Sequence, residues 1–132
     1  MDAHLSPRDA RFELSLDRAA PRLARQVAGE ILHSWPEVDA EQTYDAQLVA
    51  SEFVTNAVVH GGEEVVLELH VDAGSLVVAV CDGSAVMPTP REATDQDESG
   101  RGLRIVSALA EKWGVDSLPG GHKRVWARMP LH

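Results

Sequence analysis

The run Leu76–Cys81, LVVAVC, is almost wholly apolar, and it constrains the fold more than any other segment. A short apolar run of this kind is typical of a strand that is buried on both faces. The turn-forming residues 72–75, DAGS, come directly before it, and Val65–Val71 before them has the composition of another strand. The sequence therefore predicts a hairpin whose second strand lies in the centre of a sheet.

Further helical and extended segments surround this hairpin. The patterns predict a strand at Arg11–Leu16, helices from Pro21 to Trp35, Tyr44–Val59 and Arg101–Lys112, and strands at Val115–Leu118 and Lys123–Met129. Gly61 and Gly62 are expected to cap the second helix. The order β-α-α-β-β-α-β-β predicts an α+β fold, with helices on one face of a mixed, mainly antiparallel sheet. We expect a single domain over residues 1–132, of which residues 1–9 are flexible.

Charge and composition exclude several classes of function. The net charge of −9 argues against direct binding of nucleic acid, because phosphate binding needs a basic surface. No apolar run approaches the length of a membrane span, and the N-terminal residues lack the apolar core of a secretory signal. The single cysteine, Cys81, excludes an internal disulfide and fits a reducing compartment. We therefore expect a cytoplasmic protein.

The segment Ser51–Gly62, SEFVTNAVVHGG, places three polar side chains on one stripe of the second helix. Glu52, Asn56 and His60 follow each other at intervals of four residues. A carboxylate can accept a proton or orient a hydroxyl, and a carboxamide oxygen suits a hard cation such as Mg²⁺. The alternative is a solvated polar face. For His60, a role as the C-terminal helix cap and a role as a ligand both stay open.

Two later segments carry further candidates. Asp82 ends the buried strand, where its carboxylate could accept a hydrogen bond from a ligand amino group; a turn-starting Asp is the alternative. In the second segment, Gly100 and Gly102 flank Arg101 at the entry to a helix. Glycines let the backbone approach an anion, and the first N–H groups of the helix point at it. Alternatively, Ser99 or Gly100 is a plain N-cap.

Taken in order, these segments resemble the N, G1 and G2 boxes of the superfamily of gyrase, heat-shock chaperone, histidine kinase and MutL (GHKL) ATPases. The likeness is strongest to its small anti-sigma-factor serine/threonine kinases. It spans nearly the whole chain and includes SEFVTNAVVHG, VCDGSAVMP, ESGRGLRIVSALAEKWGV and GGHKRVWARM. The resemblance implies a two-layer α/β sandwich, the Bergerat ATP-binding fold, which binds ATP with Mg²⁺.

The resemblance also implies a role for each matching residue. Glu52 matches the general base and Asn56 the Mg²⁺ ligand. Asp82 matches the carboxylate that recognises adenine, with Ser84 beside it in an Asp-x-Ser pattern. The phosphate-binding segment corresponds to Gly100, Arg101, Gly102 and Leu103, and the mobile ATP lid to residues 83–99.

The chain departs from the family pattern at two places. The family pattern at the G1 box is Asp-x-Gly-x-Gly. Residues 82–86 of this chain read DGSAV, which has no glycine at the third and fifth positions. Near the C-terminus, Arg124 stands before Val125-Trp126, where related proteins often carry a threonine that contacts the adenine side.

The resemblance implies an anti-sigma-factor kinase. Such a protein phosphorylates a serine or threonine of an anti-sigma-factor antagonist and also sequesters a sigma factor. A nucleotide-sensing module that binds its partner without phosphorylating it is the alternative, favoured by the altered G1 box. The catalytic domain of a split histidine kinase is a weaker alternative, because no dimerising hairpin with a phosphoacceptor histidine precedes the domain. The sequence leaves open whether the protein forms a homodimer.

Overall fold

The structure, a computed structural model, describes residues 8–60, 63–82 and 98–132, with residues 82 and 98–102 described by their backbone alone. Along these residues the elements are β1 (Asp9–Ser15), α1 (Ala20–His33), α2 (Ala40–Val59), β2 (Glu64–Asp72), β3 (Ser75–Asp82), α3 (Glu98–Leu109), β4 (Lys112–Leu118) and β5 (His122–Pro130), with a 3-10 turn (Pro119–Gly121) before β5. The expected glycine cap at residues 61–62 and most of the expected lid, residues 83–97, lie outside the described residues.

The strands form one sheet in the order β1-β2-β3-β5-β4, and each described pairing is antiparallel. The central position predicted for the apolar run is confirmed, because none of the residues from Leu76 to Val80 is more than 4% exposed. The predicted hairpin turn is also present. Ala73 and Gly74 have positive φ angles of 52° and 80°, which is the geometry of a type I′ turn. The sheet, expected to be mainly antiparallel, is antiparallel in every described pairing.

The helices form the second layer. Helix α2 packs against α1, α3 and the central strand β3, so it is the element through which the two layers meet. Alternate residues of β2, β3 and β5 point toward these helices and join one hydrophobic core with them: Val65, Leu67, Leu69, Leu76, Val78, Val80, Val125, Ala127 and Met129. The predicted α+β fold, with helices on one face of the sheet, is confirmed.

Helix α2 begins at Ala40, four residues before the predicted start at Tyr44. Asp39 and Gln42 form a capping box there. The Asp39 carboxylate accepts a hydrogen bond from the Gln42 backbone N–H at 2.8 Å, and the Gln42 side-chain oxygen accepts one from the Asp39 N–H at 3.2 Å. Two backbone donors that the helix cannot satisfy itself are thereby paired, which extends the helix into the polar connector.

The observed end of α3 and the observed start of β1 also differ from the predicted ones, and strand pairing explains both differences. Helix α3 spans Glu98–Leu109 rather than Arg101–Lys112, because Lys112 already pairs with Arg128 as the first residue of β4. At the N-terminus, β1 begins at Asp9, inside the stretch expected to be flexible. The backbone carbonyl of Arg8 accepts a hydrogen bond from Val71 at 3.0 Å, and its side chain pairs with Glu37.

We expect Asp39→Ala to lower the Tm by about 4 °C. Loss of an N-cap acceptor typically costs about 1 kcal/mol, which corresponds to a shift of this size in a domain of this length. Asp45→Ala, which removes a carboxylate from the second turn of the same helix, is the matched control. Thermal unfolding followed by circular dichroism gives both values, and an equal Tm for the Asp39 and Asp45 variants would contradict the capping role.

Candidate functional site

The C-terminal half of α2 carries the polar stripe predicted from the sequence. Asn56 is only 6% exposed and Glu52 is half-buried, so the helix holds both away from bulk water. The apolar neighbours Phe53, Val54 and Ala57 are buried in the core and fix the rotation of the helix. The solvated-face alternative therefore does not apply to Asn56.

Two buried polar atoms on this stripe have no hydrogen-bond partner among the described residues. They are the side-chain oxygen Oδ1 of Asn56 and the ring nitrogen Nε2 of His60. Leaving a buried polar atom unsatisfied costs about 1–3 kcal/mol, and such atoms are few in native proteins. Since residues 56 and 60 are one helical turn apart, the two atoms lie on the same face of α2 and are candidates for ligand contacts there.

His60 occupies the C-cap position of α2. Its φ and ψ are −84° and 2°, and its backbone N–H donates to the Asn56 carbonyl at 3.0 Å. The capping interpretation is therefore correct for the backbone of this residue. It does not account for the ring, whose buried Nε2 is available to a ligand.

The nearby end of the sheet carries Asp82. Asp82 pairs with Val65 of β2 on one side and with Lys123 of β5 on the other. Because His60 and the start of β2 at Glu64 are four positions apart in the chain, the end of α2 lies within about 14 Å of this end of the sheet. The fold thus brings the stripe of α2 and the backbone of Asp82 to the same end of the molecule.

The segment expected to bind phosphate lies in the first turns of α3. The sequence predicts a loop that enters the helix at Arg101, but the helix already starts at Glu98, so Gly100 and Gly102 have helical backbone. The first four N–H groups of a helix have no partner within it, so the anion-binding geometry is compatible with this earlier start. Leu103 is 6% exposed, and Ser84 lies outside the described residues.

Sequence reasoning missed Lys123. This side chain is 1% exposed and is one of the largest fully buried side chains among the described residues. Arg124, the departure noted from the sequence, lies on the opposite face of the sheet, where its Nε donates to Glu68 at 3.1 Å. The signal for Lys123 was its place in the strand, because it continues the alternation of the buried residues Val125, Ala127 and Met129.

Cys81 lies on that opposite face too, and its thiol donates to the Glu68 carboxylate at 3.4 Å. Burial, followed by the negative charge of Glu68, raises the pKa of the thiol to about 11. The thiol is thus protonated at neutral pH, and a protonated thiol is a poor nucleophile.

We expect iodoacetamide to alkylate Cys81 at pH 8 about two-hundredfold more slowly in the folded protein than in urea. A thiol with a pKa near 11 is about 0.1% thiolate at pH 8, whereas an unperturbed thiol is about a quarter thiolate. Because only the thiolate reacts, the folded-state rate should rise about tenfold per pH unit until it approaches that pKa. Equal rates in the folded and unfolded states would contradict the raised pKa.

Comparison with known proteins assigns the family. Residues 14–129 match the histidine kinase-like ATPase domain family, and the chain belongs to it. No curated protein sequence matches the chain. Membership carries ATP binding with it and supports a regulatory role. Among the described residues, none of the helices is long and apolar enough to cross a membrane.

The residues present fit a magnesium ion. Mg²⁺ binds oxygen ligands and commonly takes one or two from the protein, with substrate phosphates and water completing the shell. The unpartnered Asn56 Oδ1 is such an oxygen. The described part of the chain holds no cluster of three or more His, Cys, Asp or Glu side chains that could bind a metal by itself.

Proposed function

We propose that the protein is an ATP-dependent serine/threonine kinase that phosphorylates an anti-sigma-factor antagonist and, when free, sequesters a sigma factor. The observation that carries the enzymatic part is the buried Asn56 oxygen, which has no partner in the described part of the chain and lies one turn from Glu52 on a helix packed against the central strand β3. A general base and a metal ligand on one rigid helix form a preorganised pair for phosphoryl transfer.

In this proposal, Glu52 accepts a hydrogen bond from the hydroxyl of the incoming serine or threonine and takes its proton. The hydroxyl oxygen forms a bond to the γ-phosphorus as the bond from that phosphorus to the bridging oxygen of ADP breaks. Asn56 would hold Mg²⁺, which would neutralise charge on the phosphates. The backbone N–H groups of the first turn of α3, which includes Gly100, add donors for the same anion.

The partners are proposed on the resemblance to anti-sigma-factor kinases across nearly the whole chain. The negative net charge supports control of transcription through another protein, since an acidic domain is a poor ligand for DNA. We place this activity in the cytoplasm, the compartment in which a free cysteine such as Cys81 stays reduced.

Transfer of label from [γ-³²P]ATP to a small anti-sigma-factor antagonist protein tests the proposal. We expect label on a serine or threonine of the antagonist that requires Mg²⁺. Label on a histidine, or no transfer to the antagonist under conditions in which ATP is bound, would overturn the kinase assignment.

A nucleotide-sensing module without kinase activity is the second candidate. The observation that favours it is the G1 segment Asp82–Val86, which lacks two glycines of the usual pattern. This candidate predicts that ATP changes the affinity for the protein partner and that no phosphate is transferred. Measuring partner affinity with ATP and with ADP, alongside the labelling assay, separates the two candidates.

A further inference from the structure

The buried side-chain atoms that lack a partner among the described residues are clustered rather than scattered. They are Asn56 Oδ1 and His60 Nε2, one turn apart on the same face of α2, and the two side chains do not satisfy each other. A single unsatisfied atom is an ordinary feature of a native protein. Two such atoms on one turn, each costing about 1–3 kcal/mol, point to a bound group that contacts both.

The helical geometry that aligns these two side chains holds through residue 60. The His60 backbone N–H donates to the Asn56 carbonyl at 3.0 Å, which is the bond that closes a regular α-helical turn. Side chains at this spacing have Cβ atoms about 5–6 Å apart. Pairs of ligands four residues apart on one helix bind a single ion in helical zinc sites, so the spacing suits a shared metal.

The electrostatic field at this end of α2 favours a cation. The helix is 20 residues long, and its aligned peptide dipoles place a partial negative charge at the C-terminal end, where His60 is the cap. The last turn contains no basic side chain, and Glu52 adds a carboxylate on the same stripe. A direct contact between His60 and a phosphate would bring an anion to a negative helix end, whereas a metal ion is attracted to it.

The two atoms can each give a lone pair to a cation. A carboxamide oxygen is an acceptor without a proton, and the Nε2 of a neutral imidazole is a common metal ligand. Carbonyl oxygens suit Mg²⁺ and Mn²⁺ alike, but imidazole suits first-row transition metals, and Mg²⁺ is bound through oxygen. A set of one carboxamide oxygen, one imidazole nitrogen and phosphate oxygens therefore suits Mn²⁺ better than Mg²⁺.

We infer that His60 is a second protein ligand to the nucleotide-bound metal, beside Asn56, and that it makes the site prefer Mn²⁺ to Mg²⁺. Mg²⁺ is held through the Asn56 oxygen alone, whereas Mn²⁺ also takes the His60 nitrogen. The inference rests on the proposed function only in requiring a nucleotide-bound metal at this end of α2, and it does not depend on phosphotransfer.

Pulsed electron paramagnetic resonance of Mn²⁺, bound together with a non-hydrolysable ATP analogue, tests the ligation. A nitrogen ligand modulates the Mn²⁺ signal, and labelling only the histidines of the protein with ¹⁵N separates imidazole from the nitrogens of adenine. We expect a nitrogen signal that changes on this labelling and is lost in His60→Gln. His70→Gln, the same substitution at a half-buried position on the opposite face of the sheet, should leave the signal unchanged.

The metal preference gives a second readout. The affinity for the ATP analogue with Mn²⁺, divided by that with Mg²⁺, should fall about tenfold or more in His60→Gln and stay unchanged in His70→Gln. The Tm of the free protein should not fall in His60→Gln, because the Nε2 that it removes has no partner among the described residues.

The two measurements separate failure of this inference from failure of the proposed function. Bound Mn²⁺ without a histidine nitrogen signal in the wild-type protein would overturn the inference and leave the metal role of Asn56 intact. An equal loss of affinity with both metals in His60→Gln would also overturn it, since His60 would then contact the nucleotide rather than the metal. If the analogue binds with neither metal, the proposed function fails and the inference fails with it.

Discussion

Glu52→Gln should abolish measurable phosphotransfer while leaving ATP affinity within about twofold of the wild-type value. Glutamine keeps the shape of the side chain but cannot take the proton of the attacking hydroxyl, and a general base contributes about 10²- to 10⁴-fold to rate. Glu52 is half-buried, and its helix α2 is held in place by packing against α1, α3 and β3. The substitution should therefore not disturb the position of Asn56 one turn away.

The matched control is Glu41→Gln. Glu41 is exposed in the first turn of the same helix, far from the C-terminal stripe, and its substitution makes the same change in charge. Single-turnover transfer of labelled phosphate and calorimetric ATP affinity should be measured on all three proteins. Equal transfer rates for wild type and Glu52→Gln would show that Glu52 is structural, whereas a parallel loss of ATP affinity would show that it binds the nucleotide.

Asn56→Ala should weaken ATP·Mg²⁺ binding by well over tenfold, about 1.4 kcal/mol or more. It should do so without destabilising the free protein. The oxygen that it removes has no partner among the described residues, so its loss relieves an unsatisfied buried acceptor. A substitution that lowers affinity and leaves or raises the Tm is the signature of a residue kept for function rather than for stability.

Gln42 offers the contrasting buried amide on the same helix. Its side-chain nitrogen donates to the Pro130 carbonyl at 2.8 Å, and its oxygen accepts from the Asp39 N–H. Gln42→Ala should therefore lower the Tm and leave ATP·Mg²⁺ affinity unchanged, the reverse of Asn56→Ala. Unchanged affinity in the Asn56 variant, or the same pattern in both variants, would remove the metal role of Asn56.

Local patterns were sufficient to predict much of this fold. The hairpin around residues 72–75 and the central strand follow from turn residues and an apolar run, which are both local. The start of α2 was predicted wrongly at Tyr44, although the local signal was present: Asp39 and Gln42 stand three residues apart, as a capping box requires. The end of α3 could not be predicted from the local sequence, because pairing with β5 decides where β4 begins.

The same distinction applies to the site. The spacing of Glu52 and Asn56 follows from the period of one helix, so the stripe on α2 was predicted correctly. The burial of Lys123 depends on the pairing of β3 with β5, which are separated in sequence by α3 and β4. The alternation along β5 places Lys123 on the helix-facing side of the sheet, but the polar sequence His122-Lys123-Arg124 does not indicate that its middle side chain is fully buried there.

The most direct test of the account is the position of the bound metal. Mn²⁺ replaces Mg²⁺ in such sites and broadens the NMR signals of nearby backbone amides. With a non-hydrolysable ATP analogue bound, we expect broadening around Asn56, His60 and the start of β2. The amides near Ala40 should stay sharp, since 16 residues of helix place them about 24 Å away. Broadening that spares residues 52–60, or that centres on the other end of α2, would contradict a nucleotide–metal site at Asn56.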